Sequence, residues 1–165
     1  MQMTYHIRDA QPEDLPRIEE IYANAREFMR KTGNPNQWGT TTPQTSILVD
    51  DIEKGDLYVM VHNEMIHGVF YFFIGPDPTY GVIEDGQWRS DTPYGTIHRI
   101  AGDGSGGVLA TAVAFGKQRI DHLRIDTHDD NKIMQHAVAK HGFQRAGIIH
   151  LANGSPRIAY DLLLK

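Results

Sequence analysis

The sequence predicts one α/β domain organised around a mixed β-sheet, with elements in the order β-α-α-β-β-β-α-β-α-β-β. Three observations carry that reading. Apolar residues first recur in helical steps of three and four, at Leu15, Ile18, Tyr22, Ala25 and Met29. Runs rich in β-branched and aromatic residues then take over at 56–62 and 65–74. The chain, at 165 residues, has the size of a single domain and shows no internal repeat, linker or low-complexity stretch.

Taken in order, Tyr5-His6-Ile7-Arg8 is a short strand ended by the polar turn of residues 9–14. The helix from Leu15 stops before Gly33-Asn34-Pro35, and an irregular segment follows that holds Trp38. Pro43 opens a second helix over Ile47, Leu48 and Ile52, with Gly55 as its C-terminal stop. Strands 56–62 and 65–74 flank Asn63-Glu64 as a hairpin turn. Residues 75–93, with Trp88 and Arg89, are long for a connection, so they form a functional loop or hide a further short strand. A strand at 94–101 runs into the glycine cluster Gly102-Asp103-Gly104-Ser105-Gly106-Gly107, and a helix from Val108 to about Lys117 comes straight after it. Next come a strand at 122–126 and a helix from Asn131 to His141, whose preceding Asp129-Asp130 suits the positive end of its dipole. Strands at 143–151 and 157–163 complete the chain.

Composition closes several routes. Sixteen Lys and Arg against 21 Asp and Glu give a formal charge of −5, which speaks against a duplex nucleic-acid binder. With no cysteine there is no disulfide framework, thiolate zinc site or cysteine nucleophile. No stretch approaches the roughly 20 apolar residues of a membrane span, and the N-terminus lacks a basic region followed by an apolar run. A cytoplasmic protein without membrane or nucleic-acid partners is therefore expected. Asn153-Gly154-Ser155 matches a glycosylation sequon by chance in that setting. His136 and His141 are five apart and do not share a helix face, and Glu13-Asp14 and Asp50-Asp51 read as solvated helix residues, so no metal is expected.

Strand, glycine cluster and helix in succession can cradle a phosphate or pyrophosphate. Glycine lets backbone N–H groups approach the ligand, and the helix N-terminus carries about half a positive charge. A phosphate loop of NTPase type needs Gly-Lys-Ser/Thr at the start of the helix, where this chain has Gly106-Gly107-Val108. A dinucleotide fingerprint can be laid on Gly102, Gly104 and Gly107, but it falls late in the chain and without flanking βαβ units.

On two segments and the order of elements, which together span nearly the whole chain, the sequence resembles the GNAT superfamily of acetyl-CoA-dependent N-acetyltransferases. The family's loop Gln/Arg-x-x-Gly-x-Gly/Ala is similar to Gly104-Ser105-Gly106-Gly107-Val108-Leu109, with Gly107 at the central glycine, Gly104 replacing the leading Gln/Arg and Leu109 the last small residue. The family's Asn-x-x-Ala-x-x-x-Tyr-x-x-x-Gly-Phe is similar in spacing to the run from Asn131 to Gly142-Phe143, with Val138 where the family has a Tyr general acid. The resemblance implies a mostly antiparallel central sheet of six to seven strands with helices on both faces. It also implies acetyl-CoA as co-substrate, held by Ile100, Ala101, Gly104, Ser105, Gly106, Gly107, Val108, Leu109 and Asn131. The chemistry would be direct attack of a primary amine, from a small molecule or a peptide, within a ternary complex. A homodimer is compatible with it. A non-catalytic acyl-CoA-binding or regulatory module is the competing expectation, supported by Gly104, Leu109 and Val138.

Strand alternation puts Tyr94, Thr96 and His98 on one face and Arg99 on the other. His98 has the side chain best suited to a base near neutral pH, unless it is a polar residue packed in the sheet. Tyr94 is the weaker candidate for base or acid. By family analogy the acceptor lies near Trp38, Trp88 and Arg89, the aromatics among them otherwise being ordinary hydrophobic plugs.

Overall fold

The computed structural model describes residues 4–164. Seven strands form one sheet: β1 (His6–Asp9), β2 (Leu57–His62), β3 (Met65–Ile74), β4 (Gly95–Gly102), β5 (His122–Thr127), β6 (Gln144–His150) and β7 (Pro156–Leu163). Their spatial order is β1-β2-β3-β4-β5-β7-β6, and every pair is antiparallel except β4 with β5. Four α-helices accompany the sheet: α1 (Leu15–Lys31), α2 (Thr45–Lys54), α3 (Val108–Lys117) and α4 (Lys132–Lys140). The mixed, mostly antiparallel sheet and the order of elements agree with the expectation. Among the described residues, no helix is long and apolar enough to cross a membrane.

Two cores follow from strand alternation. Leu57, Val59 and Val61 of β2 pack with Ile18, Ile21 and Tyr22 of α1 and Leu48 of α2. Tyr58 and Met60, pointing the other way, join Val113 and Phe115 of α3, Val138 of α4 and Phe70, Phe72 and Leu123 of the sheet. Each helix pair thus buries its apolar stripe against one face of a sheet whose side chains alternate with period two. α2 begins at Thr45, with Pro43 left in the preceding loop. The hairpin turn at Asn63-Glu64 has φ of 51° and 65°, which makes both residues left-handed. The long connection of residues 75–93 contains a short 3₁₀ turn (Pro78–Tyr80) and one isolated bridge, Glu84 with Ile148.

Two irregularities in the middle of the sheet create space. β4 pairs with β5 only at Gly95–Leu123 and Thr96–Arg124. Beyond that the two parallel strands part, which leaves one edge of β4 without a strand partner. In addition, β4 carries one extra residue relative to β3: Tyr71 opposes His98, whereas Val69 opposes Ala101. The bulge is centred on Arg99, at φ 51°, and it inverts the alternation that follows. Ile97 and Ile100 therefore share one core while Ala101 falls in the other. Such bulges re-aim side chains next to functional sites.

The bulge is pinned from below by Tyr22, fully buried in α1, whose hydroxyl donates to the Arg99 carbonyl at 2.6 Å. Removing that donor leaves a buried carbonyl unsatisfied. Tyr22→Phe is therefore expected to cost about 1–3 kcal/mol, measured by urea denaturation.

Candidate active site

Where β4 and β5 part, a cavity of about 340 Å³ opens between the sheet, the loop after α1 and the 75–93 connection. A second groove of about 550 Å³ runs from it past the glycine cluster and the first turn of α3. Met29, Ile100, Asn131 and Met134 line both, so the two spaces meet at a common wall.

The inner cavity is lined with charged groups. His98, Arg99 and Ile100, consecutive in β4, all face it because the bulge breaks the alternation that would have sent Arg99 to the opposite side. Arg99 is bound by Asp51 of α2 at 2.7 Å and lies 4.5 Å over the Tyr71 ring. Asp51 is 5% exposed, so it is not a solvated helix residue; burial lifts its carboxyl above the usual carboxylate range in spite of Arg99. His98 sits between two carboxylates. Its Nε2 lies 2.7 Å from Asp77 Oδ2 and its Nδ1 3.6 Å from Asp126 Oδ2. Asp126 also accepts the Tyr80 hydroxyl at 2.6 Å. Burial alone would raise Asp77, but hydrogen bonds from His98 and Thr79 outweigh it and hold the carboxyl at about 2. Tyr71, across from His98 on β3, is pushed up to about 12 by burial and so keeps its proton.

Other residues singled out from sequence fall in different places. Trp38 lines the inner cavity, edge-on to Tyr22. Tyr94 lies just before β4 and does not line it; its hydroxyl accepts the Asp77 backbone N–H at 2.8 Å, which positions the carboxylate beside His98. Trp88 and Arg89 are also outside the cavity. Arg89 is bound to the fully buried Asp161, and Trp88 and Tyr94 sandwich the Arg124 guanidinium at 3.9 and 3.8 Å. These contacts fasten the 75–93 connection onto β5 and β7 and keep both side chains away from the site. Val138 is fully buried in the core beneath α4.

Of the glycine-cluster residues, Ile100, Ala101, Gly104, Gly106, Val108 and Leu109 line the outer groove, together with Asn131. Gly104 and Gly106 have φ of 94° and 91°, and a Cβ at either would meet open space. The loop is left-handed by necessity and empty on its groove side. Ser105 and Gly107 complete it, Gly107 as the N-cap of α3. Asp103 is tied back by His67 at 2.7 Å and Arg17 at 3.0 Å. Asn131 caps α4 through the Met134 N–H and donates to Gln37 Oε1 at 3.0 Å. Gln37 Oε1 also accepts from Asn34 and Thr127, which pulls the loop after α1 across the cavity. Among the described residues, no cluster of three His, Asp or Glu is arranged to hold a metal ion.

Sequence reasoning had not singled out Gln37, Asp77, Asp126 or Arg157 for the site. Each comes from a different segment, and only the acidic residue at the end of a strand, Asp126, carried a local signal. Because the folded pKa of Asp77 lies below its ordinary 3.8, its stabilisation is complete above about pH 4 and is lost as pH falls toward 2. The shift corresponds to about 2 kcal/mol. Asp77→Asn should lack that loss, so urea midpoints of wild type and variant should converge between about pH 5 and about pH 2.5.

No protein-family model matches the sequence, and neither does any curated protein compared by sequence. Solved structures do match. An acetyltransferase of the GNAT family from Streptococcus agalactiae superposes with a TM-score of 0.85 and 30% identity, over 98% of this chain and 96% of that one. The yncA protein of Salmonella typhimurium, solved with its cofactor acetyl-CoA, gives 0.60 at 16% identity over 99% and 95%. N-acetylglutamate synthase from Neisseria gonorrhoeae, complexed with coenzyme A and N-acetyl-glutamate, gives 0.63 at 15% identity, over 100% of this chain and 36% of that one. The last two bear on the fold alone. The order of elements and the glycine cluster opening α3 had pointed the same way, and with 30% identity over nearly the whole of both chains, this chain belongs to the GNAT family of acetyltransferases.

Proposed function

We propose that the protein transfers an acetyl group from acetyl-CoA, lying in the outer groove, to a primary amine in the inner cavity, by direct attack in a ternary complex. The observation that carries this reading is the common wall of the two spaces at Ile100 and Asn131, which lets a thioester and an amine meet. Holding two reactants in contact supplies much of the rate in such a reaction. The yncA protein and the N-acetylglutamate synthase were solved with acetyl-CoA and coenzyme A, which supports the same co-substrate here.

In this reading the pyrophosphate takes backbone N–H groups from the Gly104–Leu109 turn, where the first-turn amides of α3 lack helical partners. The unpaired edge of β4 past Thr96 offers further backbone N–H groups to the thioester carbonyl. The amine arrives as an ammonium drawn by Asp77 and Asp126. With Nε2–H donating to Asp77, the His98 Nδ1 carries the lone pair, and its 3.6 Å distance from Asp126 Oδ2 is too long for a hydrogen bond. One ammonium nitrogen can bond both atoms, give its first proton to Nδ1 and leave a free amine to attack; as the C–N bond forms the C–S bond breaks, and the departing CoA thiolate takes up the second proton that the acylated nitrogen releases. Asp77 then stabilises the imidazolium as an orienting partner does. A module that only held CoA would have no use for this second, carboxylate-lined space.

Two measurements test the reading. Leu109 lines the groove in the first turn of α3, so Leu109→Glu places a carboxylate beside the pyrophosphate without straining the backbone. It should weaken CoA binding by about tenfold or more at low salt, and an unchanged calorimetric Kd would remove the groove assignment. His98→Ala should lower thiol release from acetyl-CoA about 100-fold near neutral pH while CoA affinity stays the same. Equal rates in both proteins would return His98 to a purely structural role.

A further inference from the structure

Arg157, at the start of β7, brings to the inner cavity a charge that the transfer step does not use. The residue is 5% exposed. Its guanidinium donates to Ser155 Oγ, to the Pro156 carbonyl at 2.8 Å and to the Gln37 carbonyl at 2.9 Å, all of them neutral acceptors. Among the described residues no carboxylate comes within 4.0 Å of it, whereas Arg99 in the same cavity is neutralised by Asp51 at 2.7 Å. Burial lowers its pKa below that of a free guanidinium, with Asp126 pulling the other way, and a guanidinium remains charged through such a change. Three bonds leave two of its five N–H donors for a ligand. A buried cation without a counter-ion is costly, and an anion arriving in that place recovers the cost.

The sheet register places this residue beside one of the carboxylates, Asp126. Asp126 opposes Ala159 and Thr127 opposes Ile158, so Arg157 is the diagonal neighbour of Asp126 on the same face. Diagonal neighbours in an antiparallel pair have Cα atoms about 7–8 Å apart. Both side chains line the same cavity, so a small ligand that carries an ammonium and a carboxylate on one carbon can meet both.

We infer that the acceptor is a zwitterion of the amino-acid type, its carboxylate received by Arg157 and its ammonium by Asp126 and His98. The inference rests on the acetyltransferase reading for the amine's fate, but not for the binding itself. The planar guanidinium fork matches a carboxylate. A phosphate dianion fits less well, because it would lie in the same cavity as Asp77 and Asp126.

The test is calorimetric titration of the CoA-saturated protein with the twenty L-amino acids, followed, for each that binds, by its decarboxylated amine (ethylamine for alanine, phenethylamine for phenylalanine). At least one amino acid should bind, and its decarboxylated amine should bind about tenfold or more weakly, the usual loss when a charged partner is left unpaired. Arg157→Gln should remove that preference. Because Arg157 also holds the Gln37 loop, the wild-type comparison decides the question even if the variant does not fold. The inference fails if no amino acid binds, or if the decarboxylated amines bind equally well. Thiol release is followed in parallel. Release with plain amines but no amino-acid binding overturns the Arg157 assignment and leaves acetyl transfer standing. Amino-acid binding without release from any amine does the reverse.

Discussion

The Tyr22 hydroxyl and the Asp51 carboxylate hold the bulge in β4 from two sides, one through the Arg99 carbonyl and the other through its guanidinium. Most of the site depends on this arrangement. One additional residue in the strand turns Arg99 and Ile100 toward the same space as His98, just past the point where the strand has parted from β5. A left-handed φ at a non-glycine residue costs on the order of 1–3 kcal/mol, and the buried ion pair and hydrogen bond offset that cost here.

The opening is then furnished from segments far apart in sequence. Asp77 comes from the connection before β4, Asp126 from β5, Gln37 from the loop after α1 and Arg157 from β7. The polar contacts outside the cavity serve to keep these groups in place. The Arg124 sandwich and the Arg89–Asp161 pair anchor the 75–93 connection; Tyr94 then orients Asp77 through its backbone N–H. Residues that looked like binding residues because they are aromatic or cationic in a long loop thus act as fasteners one layer behind the surface. Only Trp38, on the other side, faces the cavity. The net charge of −5 does not oppose the proposed anionic co-substrate, since the groove offers it backbone dipoles and the carboxylates are concentrated in the neighbouring cavity.

The seven strands and four helices were legible in the chain because each is set by local spacing: the three-and-four step of α1, the alternation of β2, and the glycine that ends α2 at Gly55. The glycine cluster was legible for the same reason, since a turn followed by a helix start is a local event, and Asn131 was placed by its position at the start of α4. His98 was reachable through its residue type. Arg99 was expected on the far side of its strand, and the bulge that reversed it has no signature in a stretch reading Ile97-His98-Arg99-Ile100. Asp51 looked solvated because its partner lies 48 residues away.

By itself the sequence determined the fold class, the order of elements, the backbone turn suited to an anion at the start of α3 and the absence of any cysteine chemistry. Periodicity and glycine placement encode these over a few residues at a time. Only the tertiary structure decided which charges share a cavity, which arginine has a carboxylate against it and which has none within 4.0 Å among the described residues, and that the two spaces meet at Ile100 and Asn131. Those outcomes depend on the register of strands distant in sequence and on a single inserted residue, and a one-residue change of register transfers a side chain to the other face of a sheet.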